Sequence, residues 1–240
     1  MVPSLIGGTF EFGDNVSATP SPTPQQRPGV KKNERPATTA VKEESPTTED
    51  GLRFRYEFSQ SDFIYSRMII EHDSSGRGTF SFDKKGISDT VVEEIEISRI
   101  VLGRLNNAFD TLKFLESNEN YQHHRDFSHL GNIEITYRKD ERSRTARFNW
   151  TENIHARSLM DEYRRLSQQF TWIFEVRLAR DNQPLETPKM MEALESLLRR
   201  NEIADPKQMI PFLDELSLDE RLPLIARNRA TSILQDLRKR

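Results

Sequence analysis

The stretch Tyr121–Leu130 reads YQHHRDFSHL and sets three of the chain's five histidines beside an aspartate. Imidazole and carboxylate groups are zinc ligands, and zinc takes three or four of them converging tetrahedrally. His123, His124, Asp126 and His129 are therefore candidate metal ligands, and His72 can join them if its segment folds back onto the loop. The spacing works against the set: adjacent residues in an extended chain point to opposite sides, and no H-E-x-x-H pair occurs. The expectation is a polar connection in which Asp126 bonds nearby backbone. A metal-binding protein or hydrolase using the His123–His129 loop is the alternative.

The same stretch spells His-Arg-Asp, as the catalytic loop of protein kinases does. That motif needs an asparagine five positions after the aspartate, where this chain has Gly131, and Asn132 comes one residue late. A glycine-rich phosphate loop, a Val-Ala-Ile-Lys strand and an Asp-Phe-Gly triplet are all absent, so the kinase reading fails.

A second candidate constellation is the basic run Arg138, Lys139, Arg142, Arg144 and Arg147, interleaved with Tyr137, Phe148 and Trp150. Cations alternating with aromatic rings can hold single-stranded nucleic acid through phosphate contacts and base stacking. Asp140 and Glu141 dilute the charge, and the aromatics fall on the alternate positions expected to face a core, so nucleic acid is not the expected partner. Carboxylates are plentiful (Glu93, Glu94, Glu96, Glu134, Glu152, Asp161, Glu162). None of them sits in an apolar setting that would split a pair into acid and base. No G-x-S-x-G is present, and the chain's 10 glycines are too scattered for a phosphate cradle. No catalytic set and no cofactor site is expected.

Such residues must be positioned by elements, and composition bounds what those can be. Of 240 residues 35% are apolar, against a usual ~45–50%, and the deficit lies mostly in residues 1–50. Net charge is −3 and is spread as −2 over 1–50, −1 over 51–183 and 0 over 184–240, so no segment carries a strong single-sign field toward nucleic acid or acidic membrane. There is no cysteine, which excludes disulfides, thiolate zinc sites and cysteine nucleophiles. No apolar run reaches the ~20 residues of a membrane-spanning helix. The start is not a signal peptide as written; the chain is cytoplasmic on that reading, and exported if a signal lies upstream of Met1. Sequons stand at Asn15 and Asn149.

Residues 1–51 read as a disordered arm rich in Pro, Thr and Ser, with a PxxP-type pattern at prolines 20, 22, 24 and 28. Such a composition cannot bury enough apolar surface to offset chain ordering. Residues 52–183 read as an α+β domain. Alternation in LRFRYEFS predicts a strand, Phe63–Asp83 a hairpin turning at Ser74–Gly78, and residues 91–98 a further strand. Ser98 caps a helix to about Leu115. A second hairpin turns at Asp140–Ser143, and a helix runs over about 155–179 with a stripe of Leu159, Tyr163, Leu166, Phe170 and Ile173. Runs of strands rather than strict alternation with helices predict a mainly antiparallel sheet with two packed helices on one face.

Residues 184–240 read as a helical appendage, with starts at Thr187-Pro188, at Asp205-Pro206 and at Ser217, and with Pro223 shifting or kinking the last. IPFLDELS followed by RLPLIARNRATSILQDL resembles one HEAT-like repeat unit, with Ala226, Arg229, Ala230 and Leu234 at the characteristic positions. The order hairpin, helix, hairpin over about 65–150 is similar to small bacterial protease-inhibitor and lipoprotein domains such as emfourin; no residue roles follow from it. The expected function is a non-enzymatic protein-interaction or binding module with an unknown protein partner. A cell-envelope protein with a missed export signal is a further alternative.

Overall fold

A computed structural model describes residues 53–239; the N-terminal arm with its proline pattern, and Asn15, lie outside the described residues. Six strands form one antiparallel sheet: β1 Arg53–Ser59, β2 Tyr65–Asp73, β3 Arg77–Lys84, β4 Val91–Glu96, β5 Asn132–Lys139 and β6 Arg142–Phe148. Five α-helices accompany them: α1 Arg99–Thr111, α2 Ile154–Asn182, α3 Thr187–Arg199, α4 Ile210–Leu218 and α5 Leu224–Lys239. The sheet order is β4-β3-β2-β1-β5-β6. The alternating segment β1 lies between the two hairpins and pairs with a strand of each, Tyr56 opposite Ile70 on one side and Ile135 on the other. The fold is the α+β, antiparallel arrangement that the strand runs predict.

One sheet face is apolar. Phe54, Tyr56, Ile70, Phe80, Phe82, Ile133, Ile135, Ala146 and Phe148 are buried beneath Val101, Leu105 and Phe109 of α1 and the Leu159–Tyr163–Leu166–Phe170 stripe of α2. Each such large side chain contributes about 1.5–3 kcal/mol on leaving water. The other face is a lattice of ion pairs. Arg55 holds Glu57 at 2.6 Å and Glu71 at 3.0 Å, Arg67 holds Glu57 at 2.7 Å, and Arg147 holds Glu134 at 2.6 Å. Antiparallel sheets tolerate one wet face in this way.

The first hairpin turns where Asp73 accepts from the main chain of Ser75 at 2.8 Å and of Arg77 at 3.1 Å, with Gly76 at φ +89° between them. A Cβ at Gly76 would lie 2.6 Å from the Ile97 carbonyl oxygen, so glycine is needed both for the dihedral and for the space. Ser98 caps α1, as expected. The helix ends at Thr111 rather than near Leu115, because Lys113 turns the chain at φ +45° and returns Phe114 to the core.

Helix α2 starts at Asn153, whose side chain accepts from the main-chain N–H of His155 and Ala156. Its 29 residues extend over about 43 Å. Near its C-terminal end a second face takes over: Trp172 and Val176 join Met191, Leu194, Met209, Leu213, Ala230, Ile233 and Leu234 in a separate apolar cluster. The α3–α5 helices thus pack on the same helix that covers the sheet.

Helix α3 starts at Thr187-Pro188, as expected, but Thr187, read from the sequence as its cap, is the first helical residue and its hydroxyl donates back to the Pro184 carbonyl at 2.7 Å. One start differs from expectation. Ser217 does not open a helix but lies in the last turn of α4. Asp219 then bends the chain by accepting from the Arg221 N–H at 3.0 Å, and α5 begins directly after Pro223. Proline lacks an N–H, which the first turn of a helix does not need, so Pro223 sets the start instead of kinking the interior.

Candidate functional site: the histidine loop and a strand–helix groove

The loop from Tyr121 to Gly131 is organised by Asn149 at the end of β6. Asn149 Oδ1 accepts from Gln122 Nε2 at 2.8 Å and from the Phe127 N–H at 3.1 Å, its Nδ2 donates to Asp126, and its own N–H donates to Gln122 Oε1 at 2.9 Å. Asp126 also accepts from the Ser128 N–H at 2.9 Å, the backbone bond expected of this carboxylate. These hydrogen bonds, the Ser128 backbone bond first, lower the Asp126 pKa. Asn149 is buried with every polar atom of its carboxamide engaged, so the folded chain presents no acceptor at that sequon. Gly131 closes the loop at φ +102°, where a Cβ would strike the Phe58 ring at 2.2 Å.

The structure brings His123 and His124 together with Glu152, with one donor atom of each within 4.8 Å of the others. Asp126, His129 and His72 do not join this group. His123 Nδ1 accepts from the Arg125 N–H at 2.9 Å, which puts the ring proton on Nε2, and Nε2 then donates to Glu152 at 3.0 Å. A cation needs a bare ring nitrogen with the proton on the other, and this pattern leaves His123 none. His72 lies elsewhere: it is 4% exposed, stacked on Phe54 at 4.7 Å, and bonded through Nδ1 to the Asp73 carbonyl and through Nε2 to the Tyr163 hydroxyl at 3.0 Å. Burial lowers its pKa to about 4, so at neutral pH it is an uncharged core residue.

The basic hairpin is divided between two faces and partly consumed. Arg144 donates to the Phe114 and Glu119 carbonyls, both at 2.7 Å, and to the Tyr121 hydroxyl, while covering the Phe114 and Tyr121 rings. Arg147 is tied to Glu134 on the wet sheet face, and Arg142 lies 3.9 Å from Glu116. Phe148 is buried, Tyr137 stacks on Phe54 at 4.7 Å, and the Arg157 guanidinium covers Trp150. The aromatics are occupied by packing and do not form a stacking platform with Arg138 and Lys139.

The feature the sequence reading passed over is a groove of about 540 Å³ between edge strand β4 and α4, with α2 as its floor. Phe170, Ile173 and Phe174 of α2 and Phe212 of α4 give it an apolar lining, and residues Glu93–Glu96 form its strand wall, with the Glu93 side chain on the floor side and those of Glu94 and Glu96 on the exposed side of the strand. Arg177 reaches from the floor to Glu93 at 3.4 Å and covers the Phe212 ring. Asp181 and Glu215 add acidic charge at the rim, and Arg180 is engaged by Asp219 and Glu215. One end is closed by a relay of carboxamides: the Asp205 N–H donates to Gln169 Oε1, Gln169 Nε2 to Gln208 Oε1, and Gln208 Nε2 to the Glu96 carbonyl at 2.6 Å.

That last bond fixes the polarity of the edge. The N–H and C=O of one strand residue point to the same side and alternate along the strand. The Glu96 carbonyl faces the groove, and the Ile97 N–H bonds the carbonyl of Gly76, in the turn that leads into β3. By alternation the main-chain groups of Val92 and Glu94 point away from β3 at the open edge, as those of Glu96 do, while Val91, Glu93 and Ile95 pair with β3; of the two, Glu94 lines the groove and Val92 continues the edge beyond it. The sequence signal was present in VVEEIEIS, but an edge strand is distinguished from a central one only by its neighbours. No described helix is long and apolar enough to cross a membrane. No family model and no curated protein matches the chain.

Proposed function

We propose that residues 53–239 form a non-enzymatic protein-binding module whose docking place is the groove between β4 and α4. The observation that carries this reading is the row of main-chain groups on an edge strand left facing an apolar-floored cleft. Exposed edges of this kind are a general liability that proteins cover, charge or use, and addition of an extended segment to an edge is a recurring mode of peptide recognition. The absence of an enzymatic assignment rests on the condition of the polar candidates. His72 is in the core, His123 is committed at both ring nitrogens, and Asp126 is committed to Ser128 and Asn149.

Selection of a random peptide library on the immobilised protein tests the reading. The expected outcome is enrichment of peptides whose binding is lost in Ile173→Arg, which fills the groove floor with a charged side chain, and kept in Thr136→Ala on the wet sheet face. Failure to enrich any peptide, or equal retention by both variants, overturns it.

A further inference from the structure

We propose that the occupant of the β4–α4 groove is an extended peptide alternating apolar with basic residues, which adds to β4 as a seventh strand. This deepens the interaction reading and rests on it. Three features of the groove argue for this chemistry. The main-chain groups of Val92 and Glu94 present alternating donors and acceptors that another strand can match, which a helix, with its own groups bonded internally, does not. Side chains of an added strand alternate between faces as those of β4 do. On the inner face they meet Phe170, Ile173, Phe174 and Phe212, so apolar residues fit there. On the outer face they lie beside Val92, Glu94 and Glu96, all exposed, so alternate residues of positive charge fit there. Opposite charges across neighbouring strands stabilise the pair, and like charges oppose it.

The same charges argue against a second copy of this chain as occupant. Antiparallel pairing of β4 with its own copy sets the Glu94–Glu96 row against an identical row. Arg177 and Arg180 do not relieve this, since Arg177 is held by Glu93 and Arg180 by Asp219 and Glu215. The Arg177–Glu93 pair, on the inner side of the strand, instead neutralises the one carboxylate that would otherwise stand over the apolar floor.

Fluorescence anisotropy with a synthetic heptapeptide of alternating lysine and valine tests the proposal. The expected results are saturable binding, weakening by at least about tenfold in the Glu94→Lys/Glu96→Lys double variant, and loss when alternate peptide amides are N-methylated in one phase but not in the other. Only one phase of amides faces β4, so phase dependence reports strand addition rather than general adhesion. Circular dichroism on the double variant confirms that it is folded. Binding that ignores both the charge reversal and the methylation phase overturns the proposal, as does absence of binding. Tighter, groove-dependent binding of a glutamate–valine peptide overturns the charge assignment while leaving the docking place standing. Library enrichment that depends on Ile173 separates failure of the partner chemistry from failure of the binding-module reading.

Discussion

His72 shows how a residue type that advertises chemistry can be spent on packing. Its ring lies between Phe54 and Tyr163, and burial holds its pKa at about 4, below the ~6.5 of an unfolded chain. The unfolded state therefore binds a proton that the folded state refuses between those values. Stability is full above about pH 6.5 and falls as pH drops toward 4, with a slope approaching ~1.4 kcal/mol per pH unit from this group alone. Urea midpoints measured at intervals from pH 7.5 to 4.5 should decline for the native chain, and His72→Phe should flatten that decline. An unchanged slope in the variant would assign the pH dependence elsewhere.

Arg144 and Arg138 make a matched pair from the same basic run. Arg144 bridges two carbonyls and a hydroxyl while covering two rings, so Arg144→Ala should cost about 2 kcal/mol. Arg138 lies at the exposed end of β5, and Arg138→Ala should stay within about 0.5 kcal/mol. Chemical denaturation distinguishes these values readily. Equal losses would mean that the Arg144 network is marginal.

Among the elements, α2 has the clearest local specification. Asn153 satisfies two of the main-chain donors that the helix start leaves open, and Asn153→Ala should cost about 1 kcal/mol. Asn153→Ser, which keeps a capping oxygen, should recover most of the loss in thermal denaturation; no recovery would assign the loss to the Asn153–Glu119 bond instead. The sequence made α2 legible because its apolar stripe repeats at helical spacing over several turns, and it made β1 legible because alternation there is unbroken. It also gave the turn at Gly76 and the cap at Ser98, where side-chain chemistry acts within a few residues. What it hid depends on distance along the chain. Nothing in VVEEIE says that β4 is an edge, because that depends on β3 pairing with one side and α4 lying across from the other. Nothing in YQHHRDFSHL says that Arg125 donates to His123, because the loop takes its shape from Asn149, more than twenty residues away. Ser217 misled for a related reason, and so did the capping role of Thr187: a hydroxyl reads as opening a helix until the preceding turn offers it a carbonyl to donate to, as Asp214 does for Ser217 and Pro184 for Thr187.

At the scale of the whole molecule, two apolar clusters share one helix. Tyr163 and Phe170 belong to the cluster beneath the sheet, Trp172 and Val176 to the one among α3–α5. A shared 29-residue helix cannot lose one cluster and keep the other without fraying, so unfolding should be a single transition. The two tryptophans report on opposite parts: Trp150 beside the histidine loop, and Trp172 in the helical cluster, where its indole donates to the Met190 carbonyl at 2.8 Å. Trp150→Phe and Trp172→Phe leave one reporter each, and their denaturation curves should coincide with far-ultraviolet circular dichroism once each is corrected for its own stability. Separate midpoints within one variant would show that the helices of residues 184–239 unfold on their own.

The carboxamide relay from Asp205 through Gln169 and Gln208 to Glu96 has a further consequence: it acts as a stop. The strand of six residues is about 20 Å long, but the Glu96 carbonyl is already taken, so the vacant rungs are those of Val92 and Glu94. A guest can therefore register only against that short span, and lengthening it past Gln208 adds no rungs. Affinity should grow with guest length up to about four or five residues and then level off, which makes the groove a gauge of where a motif ends as well as of what it contains.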